Sequence, residues 1–331
     1  MLGYHESSAV WGPDSANADE LILTDVDVID EFYGLLNTLN ISDNTLIVVV
    51  SDHGETEVDE SKKLTKGDVK DALEQEGFII DEGWITICNT SIIPIFCKRE
   101  QYHDFSSSTA MVALFGNAGY VYLRYDETSG VPWIVPPTDT AVNKAAQALF
   151  EKRPYIDEIL VRYGGIEGTY KLYTGDDNSV SLDNLDSDKY PDAVNRIERL
   201  YPERSPDIIL LANSSGKYYL FDKDKKGMHG GLYHTDSYVP LMFINPRFGG
   251  CMHTDANYSV VDMAPTIADL MGFNMSGVDG QSLYGYIQDC MWYYVNETIN
   301  ISFTVENNGG TDASNVNVSF YNGDPDGSGV F

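Results

Sequence analysis

The sequence predicts an α/β fold: a three-layer α/β/α sandwich with a mostly parallel sheet, followed by a short stretch of different, antiparallel β texture. Three observations predict it. A short, wholly apolar run, Leu46-Ile47-Val48-Val49-Val50, leads straight into Ser51-Asp52-His53-Gly54, as a strand buried on both faces would. Strand-like apolar runs then alternate with helix-patterned segments for most of the chain. From Thr298 the pattern changes to period two.

Taken in order, Gly12-Pro13 marks an opening loop. Between Asp19 and Leu39 the residues Leu21, Ile22, Val26, Ile29, Phe32, Tyr33, Leu36 and Leu39 recur mostly at three- and four-residue steps, the spacing of an amphipathic helix. Asn40 to Asn44 is a polar turn before the Asp52 strand. Asp68 to Glu76 reads as a second helix closed by Gly77. Ile79 to Phe96 is strand-like and irregular, and Gly119 to Arg124 is a short strand. Thr140 to Lys152 is helical through Ala145, Ala146, Ala148, Leu149 and Phe150. Ile156 to Tyr163, Ile208 to Ala212 and Tyr238 to Ile244 are further strands. Val260 to Met271 is a patterned helix with Pro265 about one turn in, where proline is tolerated. Thr298 to Val305 and Val316 to Phe320 alternate around Asn307-Asn308-Gly309-Gly310. Two strands cannot make a stable sandwich alone, so residues 296–331 are expected to open a separate β module behind a main domain of residues 1–295.

Composition narrows the function. The 331 residues carry 51 acidic against 21 basic side chains, a formal net charge of -30. Such a surface argues against nucleic-acid or anionic-membrane binding through general electrostatics. A phosphate site on it would need metal ions to invert the local field. The four cysteines, Cys88, Cys97, Cys251 and Cys290, form no CxxC pair, which argues against a zinc–thiolate site. Disulfides Cys88–Cys97 and Cys251–Cys290 stay open, since spacing does not fix connectivity. Eight Asn-x-Ser/Thr sequons lean towards a secreted protein. No apolar run is long enough to span a bilayer, and no signal peptide opens the chain.

Two stretches carry the chemistry. In open α/β sheets, ligands sit beyond the carboxyl ends of strands, where Asp52 and His53 fall. A carboxylate beside an imidazole suits a divalent metal, zinc in particular, and Gly54 lets the backbone turn behind them. Far downstream, Gly227-Met228-His229-Gly230-Gly231 sets a histidine among glycines that let the backbone approach a ligand. His234 and Asp236 follow closely; orienting metal ligands and ordinary loop polarity explain them equally well. His103, and His253 with Asp255, read as surface residues.

Together these stretches resemble the alkaline phosphatase superfamily, and within it the type I phosphodiesterase/nucleotide pyrophosphatase family. The likeness rests on Ser51-Asp52-His53-Gly54, on Gly227-Met228-His229-Gly230-Gly231, on Tyr238-Val239-Pro240-Leu241-Met242-Phe243, and on the helix from Val261 to Gly272. Trp11-Gly12-Pro13-Asp14-Ser15 and Glu203-Arg204-Ser205-Pro206-Asp207 fit that branch too, so the likeness covers roughly residues 1–290. The resemblance implies an alkaline phosphatase-like hydrolase of phosphodiester or phosphoanhydride bonds that uses two divalent ions, usually zinc, on a small phosphate ester or nucleotide. It implies Asp52 and His53 at one metal and His229 at the other, and an extracellular or cell-surface location. Asn117, in Phe115-Gly116-Asn117-Ala118-Gly119-Tyr120, resembles a family loop near the metal centre and is carried as a substrate-binding candidate.

Two departures stand out. The family pattern Asp-x-x-x-His-x-x-Gly-Pro, anchored on Gly12-Pro13, puts His5 at the aspartate position and Ala9 at the histidine position. His5 can ligate a metal; Ala9 cannot. A one-residue shift, with Glu6 and Val10, is no better. The strand with the family's nucleophile normally lies upstream, so the chain is expected to be a fragment whose nucleophile precedes Met1, inactive without it. Residues Phe303 to Asp324 resemble the opening of a CARDB-type immunoglobulin-like adhesion module, which implies cell-surface partners. A sulfatase or phosphoglycerate-mutase-like relative, and a non-catalytic adhesion protein on a phosphatase-like scaffold, are the competing readings.

Overall fold

A computed structural model describes residues 8–80, 108–124, 135–246, 248 and 258–288. His5, the four cysteines, His103, His253, most of the stretch from Ile79 to Phe96 and the whole of residues 296–331 lie outside the described residues.

Helix α1 (Ala16–Thr38) starts where Ser15, in extended conformation, accepts a hydrogen bond from the Ala18 backbone N–H. Of the described residues in its expected apolar stripe, Leu36 is buried and Ile29 and Tyr33 are half-buried, whereas Phe32 and Leu39 are about half exposed. The chain then enters β1 (Ile47–Val50), which among the described residues pairs only with β12 (Leu241–Ile244), antiparallel, from Ile47 opposite Ile244 to Val50 opposite Leu241. All four β1 residues keep partial solvent exposure. The expectation of a parallel strand buried on both faces is therefore corrected. An apolar run of this length sets neither the direction nor the depth of a strand; its partner does. β12 begins after Pro240, which has no N–H to give a ladder.

The main sheet lies elsewhere and has six strands in the order β4 (Ala110–Phe115), β5 (Ala118–Leu123), β9 (Ile208–Ala212), β6 (Ile156–Arg162), β7 (Tyr170–Gly175), β8 (Asn178–Ser181). Every pairing in it is antiparallel, so the expected mostly parallel sheet is corrected as well. Its turns show why. β4 and β5 are joined through Gly116-Asn117, and β7 and β8 through Asp176-Asp177, whose φ angles of 51° and 60° match the twist of a tight hairpin. Hairpins make antiparallel neighbours, whereas parallel neighbours need long crossovers.

β9 is the strand buried on both faces. Ile208, Leu210 and Ala212 join a core with Val69 and Leu73 of α2 (Lys66–Gln75) and Val142, Ala145, Ala146 and Leu149 of α3 (Asp139–Phe150). Ile209 and Leu211 point into a second core with Leu160, Tyr170, Leu172 and Ile197, the last from α4 (Ala193–Glu198). Helices thus cover both sheet faces, the layering expected, around antiparallel strands. α2 is closed at its start by a reciprocal Thr65–Asp68 capping box, and Gly77 follows it at φ 89°.

Four two-residue strands connect this body to the loops of interest. β2 (Thr56–Glu57) pairs antiparallel with β11 (Gly227–Met228), and β3 (Lys63–Leu64) pairs with β10 (Tyr219–Leu220) in the one parallel ladder among the described residues. A short helix, α5 (His234–Ser237), follows β11. After β12 come α6 (Met263–Leu270), entered through a turn at Val260–Asp262, and α7 (Tyr284–Gln288).

Candidate functional site

The His53 turn is built from its own backbone. Ser51 Oγ donates to the His53 carbonyl at 2.8 Å, and the His53 N–H donates to Asp52 Oδ1 at 3.1 Å. His53 Nδ1 lies 2.8 Å from the Gly54 carbonyl. A carbonyl only accepts, so Nδ1 carries the proton and Nε2 is the basic nitrogen of the neutral ring. That Nε2 is 3.7 Å from Asp52 Oδ2, on a carboxylate that is 86% exposed. Slight burial pushes the Asp52 carboxyl up, but the charge of His53 and hydrogen bonds from the local backbone and Ser51 outweigh it and hold it below its usual value.

Gly54 serves a different purpose from the one its position in a turn implies. A Cβ there would stand 2.0 Å from the Thr235 carbonyl oxygen, so glycine is required by close approach to α5. The His229 turn is held by similar backbone contact. Asn117 N–H donates to the His229 carbonyl at 2.9 Å, and a Cβ at Gly116 would come within 2.4 Å of that same oxygen. Gly230, at φ 98°, approaches the Phe115 carbonyl in the same way.

The β2–β11 ladder sets these two turns side by side, and the His53 and His229 rings stack with centroids 3.7 Å apart and planes 10° from parallel. Asp52, His53 and His229 are therefore neighbours, although their sequence positions are far apart. Ala9 is close by: it is buried, and its carbonyl accepts from Lys226 N–H at 3.0 Å just ahead of β11.

The donor types suit zinc, since imidazole nitrogen and carboxylate oxygen are its ordinary ligands. Their arrangement does not close on an ion. Ring nitrogens direct their lone pairs in the ring plane, and in two near-parallel stacked rings those directions run side by side rather than to one point. Among the described residues no group of three or more His, Cys, Asp or Glu side chains is placed to hold a metal.

Next to the two histidine turns lies a polar centre in which Asp236 and Asn117, both noted in the sequence, meet Thr56, which was not. Asp236, 4% exposed, accepts hydrogen bonds from Thr56 Oγ1 at 2.5 Å, from Asn117 Nδ2 at 2.9 and 3.0 Å, and from the Gly231 N–H at 2.8 Å. Its backbone carbonyl accepts from Gly54 N–H at 2.8 Å. Burial raises the Asp236 carboxyl above its ordinary range, against the pull of the Thr56, Asn117 and Gly231 hydrogen bonds and the Arg196 charge. Asn117 is 1% exposed, and its amide nitrogen also donates to the Met228 carbonyl at 3.2 Å, so this side chain braces the His229 turn from within. Thr56, three residues after His53, gave no signal of its own; only the meeting of three loops reveals it.

The family model for type I phosphodiesterase / nucleotide pyrophosphatase matches residues 10–232, more than half of the chain and the segment that holds Asp52, His53, Asn117 and His229. The chain belongs to the type I phosphodiesterase/nucleotide pyrophosphatase family. Among solved structures, murine ectonucleotide pyrophosphatase/phosphodiesterase 5 aligns at 13% identity with a TM-score of 0.50. The human ectonucleotide pyrophosphatase/phosphodiesterase 5 aligns at 14% and 0.49. An inactive form of the murine protein in complex with AMP also gives 14% and 0.49. Each alignment covers 87% of this chain and 56% of the other, so this type I phosphodiesterase-family chain spans little more than half the length of those proteins. At 13% identity and a TM-score of 0.50, the first of these likenesses shows a shared fold alone. No curated protein matches in sequence. The family match favours the phosphodiesterase branch over sulfatase- or phosphoglycerate-mutase-like relatives.

Proposed function

We propose that this chain carries part of the centre of a metal-dependent hydrolase of phosphodiester or phosphoanhydride bonds, acting on a small phosphate ester or nucleotide. Asp52, His53 and His229 are the proposed ligands to divalent ions, zinc first among them, with His5 a further candidate. The observation that carries the reading is the face-to-face meeting of His53 and His229 inside the segment matched by the family. Divalent ions held by these residues would supply charge neutralisation at phosphorus; without them an acidic chain with net charge -30 would repel an anionic substrate. Ligation would require the exposed Asp52 carboxylate and the His53 ring to turn towards one ion and the His229 ring towards the other. Ser51 Oγ and Thr56 Oγ1, the hydroxyls on either side of Asp52 and His53, are committed to the His53 carbonyl and to Asp236, so neither is offered as the nucleophile. An extracellular location agrees with this reading, as does a main domain of residues 1–295 followed by a β module with surface partners. Among the described residues no helix is long and apolar enough to cross a membrane.

The test is zinc content. Purified chain dialysed against zinc and analysed by atomic emission should retain it, and His53→Ala and His229→Ala should each lose it. A wild-type chain that emerges without zinc rejects the metal reading. That result would favour the second reading, a phosphatase-like scaffold without catalysis, which the buried methyl of Ala9 at a histidine position of the family pattern supports.

A further inference from the structure

We infer that Asp236 is a positioning residue that sets the spacing of the His53 and His229 rings. The inference deepens the reading above, since its importance rests on those histidines sharing a site. Asp236 lies beyond the residues matched by the family.

One buried carboxylate ties both histidine-bearing turns: Oδ1 accepts from Thr56, three residues beyond His53, and Oδ2 accepts from Gly231 N–H, two residues beyond His229. The Asp236 carbonyl adds a second hold on the first turn through Gly54 N–H at 2.8 Å. Asn117 adds a second hold on the other, donating from its backbone to the His229 carbonyl and from its side chain to both Asp236 oxygens. Gly54 and Gly231 are without side chains at the points of tightest packing: a Cβ would stand 2.0 Å from the Thr235 carbonyl at Gly54 and 2.8 Å from Asp236 Oδ2 at Gly231. The helix that carries Asp236 is tied to α4, where Arg196 Nη1 donates to Ser237 Oγ at 2.6 Å. Loops held by three donors to one buried carboxylate, and by a fourth to the same residue's carbonyl, have little slack, and the ring separation follows from where Asp236 sits. A charged acceptor makes each bond stronger than a neutral one.

The test separates positioning from simple stabilisation. In metal-free chain with labelled histidine rings, NMR should show ring-to-ring NOEs between His53 and His229 and mutual ring-current shifts. Asp236→Ala should lose both. Thr56→Val, which removes one hydroxyl donor, should weaken them while the far-ultraviolet circular dichroism stays native. A residue that only adds stability would lower the unfolding temperature and leave the ring signals of the folded population in place. Should Asp236→Ala fail to fold, Thr56→Val decides the matter. Zinc titration is the second readout: the zinc Kd of Asp236→Ala should rise about 10- to 100-fold, the usual cost of removing a group that orients metal ligands. Unchanged ring signals in the folded variants overturn the positioning role whatever zinc does. A wild type that binds no zinc rejects the metal reading and leaves the ring result to stand by itself.

Discussion

At the scale of single residues, burial decides what a polar group does. Asp207 is 7% exposed, accepts from Leu123 N–H at 2.8 Å, and sits 3.9 Å from Arg162, whose guanidinium holds the carbonyls of Pro202 and Ser205. Burial dominates over the hydrogen bond and the Arg162 charge and pushes the Asp207 carboxyl up to about 6. Its folded value thus exceeds its unfolded one, near the ordinary ~3.9. The folded state binds the extra proton between these values, so this contribution is fully present below about pH 4 and is lost as pH rises through about 6. The amount is on the order of 2–3 kcal/mol. Asp207→Asn keeps an acceptor for Leu123 and carries no charge. Thermal unfolding from pH 4 to 7 should show the variant gaining on the wild type as pH rises, and parallel curves would refute the assignment. Gly54 teaches the same lesson about context. Read in sequence it is a turn glycine; in the fold it is where two backbones touch.

At the scale of elements, β1 and β9 look alike as sequence and behave differently. Ile47-Val48-Val49-Val50 and Ile208-Ile209-Leu210-Leu211-Ala212 are both short apolar runs, but only β9 is buried along its whole length. Leu210, fully buried, should lose about 2–5 kcal/mol on substitution by alanine, the range for large-to-small core changes. Val49→Ala, on a partly exposed two-stranded ribbon, should cost about 1 kcal/mol or less. Urea-denaturation midpoints compare the two, and equal losses would mean that β1 is buried as deeply as β9. Helices were the more legible elements. Gly77 after α2 and the alanine-rich face of α3 are local signals that survive into the fold, whereas α2 starts two residues earlier than read, at Lys66 behind the Thr65–Asp68 cap. The strands β4, β7 and β8 were not read from the sequence. Their hairpin turn at Asp176-Asp177 lacks the glycine that usually announces one.

At the scale of the molecule, net charge sets the response to solvent. With a formal charge of -30, self-repulsion works against the compact state. Cation-bearing contacts such as Lys63 with Asp224 and Lys217 with Glu57 are surface pairs, worth little each. Raising ionic strength shortens the screening length from about 10 Å at 0.1 M to about 3 Å at 1 M. The unfolding temperature should therefore rise by a few degrees over that range, about the effect of 1–2 kcal/mol on a protein of this size. A fall with added salt would mean that attractive pairs outweigh the net repulsion.

By itself the sequence determined the chemistry on offer: a carboxylate and two imidazoles of metal-ligand type, helix ends marked by their caps, an acidic surface, and motifs in the order of the type I phosphodiesterase family. Such features depend on residue type and on neighbours a few positions away, so they can be read along the chain. Only the tertiary structure decided which strands pair and in which direction, which apolar run is enclosed, and that Thr56, Asn117, Gly231 and Asp236 meet behind the stacked histidines. Direction and enclosure belong to the partner as much as to the strand. A hydrogen-bonded centre assembled from three loops exists only once the backbones that carry it have been brought into contact.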